Sequence, residues 1–221
     1  MLKRNVLGVL ILLLGVIPAA TAQKPPVRVA CIGDSITFAA SSGKRDETSY
    51  PAQLQTLLGK AYEVKNFGVS GATMLRVSER PYWLQKEFVA AKEFAPDIVI
   101  IKLGTNDSKP KHWNGAGYAR DYRDMVDEFV ALPSHPTVIL CRPVPAFTEA
   151  FTIRNSVIVG EIIPIVDEIA IEKRLPVVDA YNQLLNLGAN FPDGIHPDPG
   201  GCKVLAKAIA EVVKAPTVKY E

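Results

Sequence analysis

Short runs rich in Val and Ile recur along this chain, and helical periods lie between them. The runs are Val27–Ile32, Tyr62–Phe67, Ile98–Leu103, Thr137–Cys141 and Pro176–Val178. Ile98-Val99-Ile100-Ile101 is apolar without alternation, which suits a strand buried on both faces. Tyr50, Leu54, Leu57 and Leu58 fall at i, i+4, i+7 and i+8, with Pro51 in the first turn and Gly59 just past the end. Tyr118, Tyr122, Met125, Val126 and Phe129 repeat that stripe, as do Val204, Leu205, Ala208, Ile209 and Val212. Ile158, Ile162, Ile165, Val166 and Ile169 predict a further helix, kinked by Pro164. Strands that alternate with helices make an α/β fold: a parallel sheet with right-handed crossovers and helices on both faces.

With 221 residues, 48% of them hydrophobic, the chain can bury one sizeable core but not two comfortable ones. Lys3 and Arg4 precede 12 uncharged residues, Val6 through Ile17; Pro18 breaks that run, and Ala20-Thr21-Ala22 has the small-x-small form of a cleavage site. Twelve residues cannot cross a hydrocarbon layer about 30 Å thick. Residues 1–22 are therefore expected to be a signal peptide, and residues 23–221 one exported domain, periplasmic or secreted, with no stable membrane insertion. Without Lys3 and Arg4 the 25 Lys+Arg fall to 23, equal to the 23 Asp+Glu. A neutral chain without a basic stripe is a poor nucleic-acid binder. Three cysteines, an odd count, leave at least one thiol free, and Cys31 and Cys141 lie within apolar runs as buried small hydrophobes. No His/Cys/Asp cluster has metal-ligand spacing, so neither metal nor cofactor is expected. The sequence sets no oligomeric state.

In an open parallel sheet, ligands bind beyond the carboxyl ends of the strands. There this chain carries Gly33-Asp34-Ser35-Ile36-Thr37, Asn66-Phe67-Gly68-Val69-Ser70-Gly71 and Gly104-Thr105-Asn106-Asp107; Asp193-Gly194-Ile195-His196-Pro197 precedes the last helix. Their order and common edge resemble the SGNH, or GDSL, hydrolase family over Val27 to about Val213, with Ile36 where the motif name has Leu. The resemblance implies a three-layer α/β/α sandwich with a flavodoxin-like five-stranded sheet. It also implies Ser35 as nucleophile, His196 as base, Asp193 as its acidic partner, and Ser35, Gly71 and Asn106 as the oxyanion hole.

Those residue types suit the chemistry. A serine hydroxyl needs a base to become a nucleophile, and a neutral imidazole can take its proton and return it to a leaving alcohol. A carboxylate three residues away on a loop can hold the imidazole tautomer. Backbone N–H groups and one side-chain amide can meet the charge on the carbonyl oxygen. Asp34 and Asp107 read as backbone acceptors, Asp198 as the cap of the last helix, and Tyr82 and Trp83 as packing residues. His112 and Trp113, in the polar segment after Asn106, are candidates for substrate contact. Arg142, at the end of the fourth strand, either touches substrate or pairs with a carboxylate.

The substrate class follows only from a closer resemblance, in Asn66 to Thr73 and Gly104 to Pro110, to exported bacterial members that deacetylate sugars. It implies a serine esterase acting on O-acyl, foremost O-acetyl, esters of carbohydrates, with a small-molecule or glycan ester as partner. A lysophospholipase, thioesterase or arylesterase on the same scaffold is the alternative. A carbohydrate-binding relative without catalysis is a third reading, but it needs none of the four motifs. The loops after Ser35 and Asn106 are mostly small or polar, which favours short acyl groups.

Overall fold

The computed structural model describes residues 24–40 and 44–215; the signal-peptide expectation, residues 1–22, lies outside them. The first strand, β1 (Val27–Gly33), runs into a one-turn helix, α1 (Ser35–Phe38). After α2 (Arg45–Thr48) and α3 (Tyr50–Leu58) come β2 (Tyr62–Gly68), α4 (Lys86–Glu93) and β3 (Ile98–Lys102). Then follow α5 (Gly115–Val130), β4 (Thr137–Cys141), α6 (Asn155–Val157), α7 (Ile163–Lys173), β5 (Val177–Val178), α8 (Ala180–Leu184) and α9 (Pro199–Lys214). All strand pairs are parallel, and the sheet order is β2-β1-β3-β4-β5. The chain reverses its winding direction between β1 and β3, and a crevice opens where it does.

Alternation along each strand divides the core in two. Ala30, Ile32, Val99 and Ile101 face Phe88 of α4, Tyr122 and Phe129 of α5 and Val166 of α7. Val29, Cys31, Ile100 and Cys141 face Tyr50 and Leu54 of α3, Leu184 of α8, and Leu205 and Ile209 of α9. Each fully buried Leu or Ile contributes about 1.5–3 kcal/mol, so both helical layers are held mainly by these side chains. Cys31, Cys141 and Cys202 are free and buried, and burial pushes the Cys141 thiol up to about 12 and that of Cys202 up to about 11.

Two expected elements differ in detail. The fifth strand begins at Val177, one residue late, because Pro176 has no N–H to pair; its carbonyl still accepts from the Leu140 amide at 3.0 Å. The helix around Pro164 does not simply kink. Ile158–Ile162 forms a π-helical stretch, and α7 starts afresh with Pro164 in its first turn. The wider stretch gives room to a ring that would otherwise clash with the carbonyl four residues back.

Candidate active site

The site is built where β1 gives way to α1. Asp34 is the N-cap of α1, and its Oδ1 accepts the Ile36 N–H at 2.9 Å. Ser35 opens the helix, so its own N–H has no acceptor within it. Tight packing holds this turn. A Cβ on Gly33 would meet Thr37 Oγ1 at 2.0 Å, and one on Gly68 would meet the Phe38 nitrogen at 2.3 Å. Gly68 reads from sequence as a plain loop glycine; in the fold it lets the end of β2 lie against α1. Asn66 completes the junction, donating from Nδ2 to the Thr37 carbonyl at 2.7 Å and accepting from the Gly68 N–H at 2.9 Å.

Beneath the cap, Lys102 Nζ lies 3.5 Å from Asp34 Oδ1, with both side chains fully buried. Removing one member of such a pair strands a buried charge, at a cost of about 3–5 kcal/mol. The pair therefore ties α1, through its capping carboxylate, to the end of β3. Nothing in the sequence marks it beyond a lysine at the end of an apolar run.

His196 reaches Ser35 from the loop before α9. Its Nε2 is 2.8 Å from Ser35 Oγ, and its Nδ1 is 2.6 Å from Asp193 Oδ2. Asp193 Oδ1 also accepts the Ile195 and His196 N–H groups, at 2.9 and 2.7 Å. Burial pushes the Asp193 carboxyl up, but these amides and the His196 ring outweigh it and hold the group below the usual carboxylate range. An ionised Asp193 places the imidazole proton on Nδ1 and leaves Nε2 to accept from the serine. Asp198, the other acid of this loop, caps α9 by accepting the Gly201 N–H at 2.8 Å.

Asn106 follows β3, buried, and its Nδ2 donates to the Ala72 carbonyl at 3.1 Å, which leaves one amide hydrogen for another acceptor. Asp107 accepts the Met74 and Leu75 N–H groups at 3.0 and 2.8 Å. Burial pushes its carboxyl up to about 7 against the pull of those amides. The two residues thus hold the segment after Gly71 against the end of β3. Gly71 has φ +78°, which glycine adopts without cost, and a Cβ there would meet only the Arg80 side chain, in ordinary contact at 3.7 Å.

The three substrate-contact candidates each have protein partners of their own. Arg142 takes the second of its two expected roles: its guanidinium donates to both Asp167 oxygens at 2.9 Å and pairs with Asp179 at 2.8 Å, so these hydrogen bonds go to carboxylates. Trp113 donates from Nε1 to Glu161 at 2.7 Å and packs on Tyr118; His112 lies 3.7 Å from Glu79. Tyr82 and Trp83 do pack, their polar atoms donating to the Phe67 and Met74 carbonyls. Among the described residues no group of three or more His, Cys, Asp or Glu could hold a metal ion.

One neighbour of the site escapes sequence reading. The segment after β4 folds onto the Asp193–His196 loop: the Phe147 N–H donates to the Gly194 carbonyl at 2.8 Å, and Thr148 Oγ1 donates to the Asp193 carbonyl at 3.1 Å. It places the Phe151 ring edge-on to the His196 ring, with centroids 5.7 Å apart. Phe151 and Thr152 both adopt positive φ, +56° and +60°, at about 1–2 kcal/mol each for residues other than glycine. No glycine or turn motif at these positions signals the bend.

A serine, an imidazole and a carboxylate joined in sequence by hydrogen bonds, at the carboxyl edge of a doubly wound parallel sheet, define a nucleophilic-serine site. The chain belongs to the GDSL-like Lipase/Acylhydrolase family, whose profile matches residues 31–204. It is 41% identical, over 211 residues covering 87% of its length, to an acetylxylan esterase of Xylanibacter ruminicola; the match spans 44% of that relative. The solved structure of an acetylxylan esterase from Geobacillus stearothermophilus superposes with TM-score 0.65 at 25% identity, covering 90% of this chain and 100% of the other. That of a carbohydrate acetylesterase family member from Sinorhizobium meliloti gives 0.64 at 21% identity, over 85% and 97%.

Proposed function

We propose that this chain is a serine esterase that removes O-acetyl groups from carbohydrate. The observation that carries the chemistry is the unbroken chain Ser35 Oγ, His196 Nε2, His196 Nδ1, Asp193 Oδ2 at 2.8 and 2.6 Å. The sugar reading draws on the acetylxylan esterase relatives, one a curated protein and one a solved structure.

In this mechanism Ser35 Oγ attacks the ester carbonyl as its proton passes to His196 Nε2. The carbonyl oxygen takes up the negative charge and is met by the Ser35 and Gly71 N–H groups and the free Nδ2 hydrogen of Asn106. His196 returns the proton to the leaving alkoxide, the sugar departs, and acetyl stays on Ser35. Water, activated by the same imidazole, then releases acetate. Asp193 keeps the ring in one tautomer and stabilises its charged form. Residues 1–22 act as an export signal, which places the enzyme outside the cytoplasm; among the described residues no helix is long and apolar enough to cross a membrane.

Acetate release from a panel of acetylated sugars and polysaccharides tests the substrate class. Alongside it, kcat/KM on p-nitrophenyl acetate, butyrate and octanoate is expected to fall with length. A groove for long chains would gain about 0.8 kcal/mol per buried methylene, so a steady rise from C2 to C8 would overturn the short-acyl reading. Asn106→Ala is expected to lower kcat by about 10²–10³. A change confined to KM would show that Asn106 binds substrate without meeting the oxyanion.

A further inference from the structure

A proton on His196 Nε2 must go to the leaving oxygen, so the alcohol half of the ester has to lie on the imidazole side of the site. On that side stands Phe151, its ring beside the His196 ring yet 58% exposed. An aromatic left this open, on a backbone at positive φ, is costly on two counts: apolar surface in water and local strain. The strain is sustained because the segment is pinned to the Asp193–His196 loop through Phe147, Thr148 and Gly194. A Cβ on Gly194 would meet Thr148 Oγ1 at 2.3 Å, so the two loops fit closely only because that position is glycine. Trp113, the aromatic that sequence reading points to, is turned to Glu161 and Tyr118 instead.

We infer that Phe151 is a specificity-determining residue, the platform on which the sugar ring of the leaving alcohol rests. This rests on the carbohydrate-ester reading above and assigns the side of the site that takes the sugar. The C–H groups on a pyranose face match the negative face of an aromatic ring, as they do in other ring contacts. A small alcohol such as methanol is too short to cover that ring.

The test compares kcat/KM for a mono-acetylated methyl xyloside with kcat/KM for methyl acetate. In Phe151→Ala the ratio is expected to fall about tenfold, the loss appearing in KM for the sugar ester, as the removal of one ring contact implies. Phe151→Trp is expected to keep the wild-type ratio. Thermal melting checks that each variant is folded; an exposed side chain gives little reason for loss. An unchanged ratio in Phe151→Ala, whether both rates hold or both fall together, would overturn the platform and leave the carbohydrate reading standing. Wild-type enzyme that cleaves methyl acetate but not the xyloside would overturn the carbohydrate reading, and the platform with it.

Discussion

Ser35→Ala is expected to abolish ester hydrolysis, by about 10⁴–10⁶-fold, while the protein stays folded. The size follows from the chemistry: without Oγ there is no covalent step, and only water held near the oxyanion donors remains. The intact fold follows from the local structure. The Ser35 hydroxyl bonds to His196, whereas α1 is capped by Asp34 and anchored by Asn66 and Gly68, none of which the substitution touches. A fluorophosphonate probe should label wild type and fail on the variant. Labelling that persists on another serine would show that the nucleophile is misassigned.

Asp193→Asn is expected to lower kcat by about 10⁴-fold, against a small effect of Asp198→Asn. An asparagine at 193 can still accept the Ile195 and His196 amides through its oxygen, so the loop keeps its course. Its NH₂ group then faces Nδ1 and donates to it, which moves the ring proton to Nε2, where the serine proton has to go. At 198 the exchange replaces one good helix cap by another. A larger loss from Asp198→Asn than from Asp193→Asn would mean that the orienting acid has been chosen wrongly.

The inner strands β1, β3 and β4 were legible because each is an apolar run rich in β-branched residues in a sheet covered on both faces, where burial demands such residues. Four of the five begin at the residue expected. Asp198 could be told from Asp193 because a carboxylate at the entry to an apolar helical stripe has a local task. What escaped depends on partners far away in sequence. Arg142 meets Asp167 and Asp179 only once β4, α7 and β5 lie together, and Lys102 meets Asp34 only across the sheet. The bend at Phe151 has no local cause in composition, since non-glycine residues adopt positive φ there under tertiary constraint. The π-helical stretch before Pro164 likewise answers a clash whose presence is readable but whose resolution is not.

The nucleophile and its base lie 161 residues apart, and the loop bearing the base is held by the last helix. That helix seats on α3, where Gln53 Nε2 donates to the Pro199 carbonyl at 2.9 Å beside the packed side chains of Tyr50, Leu54, Leu205 and Ile209. A ribosome making this chain releases the serine early and the histidine late. During synthesis the polypeptide carries an inert hydroxyl, and chemistry waits for α9 to dock. Hydrolysis then appears only after α9 has been made and seated, so activity doubles as a report that this helix has found its place.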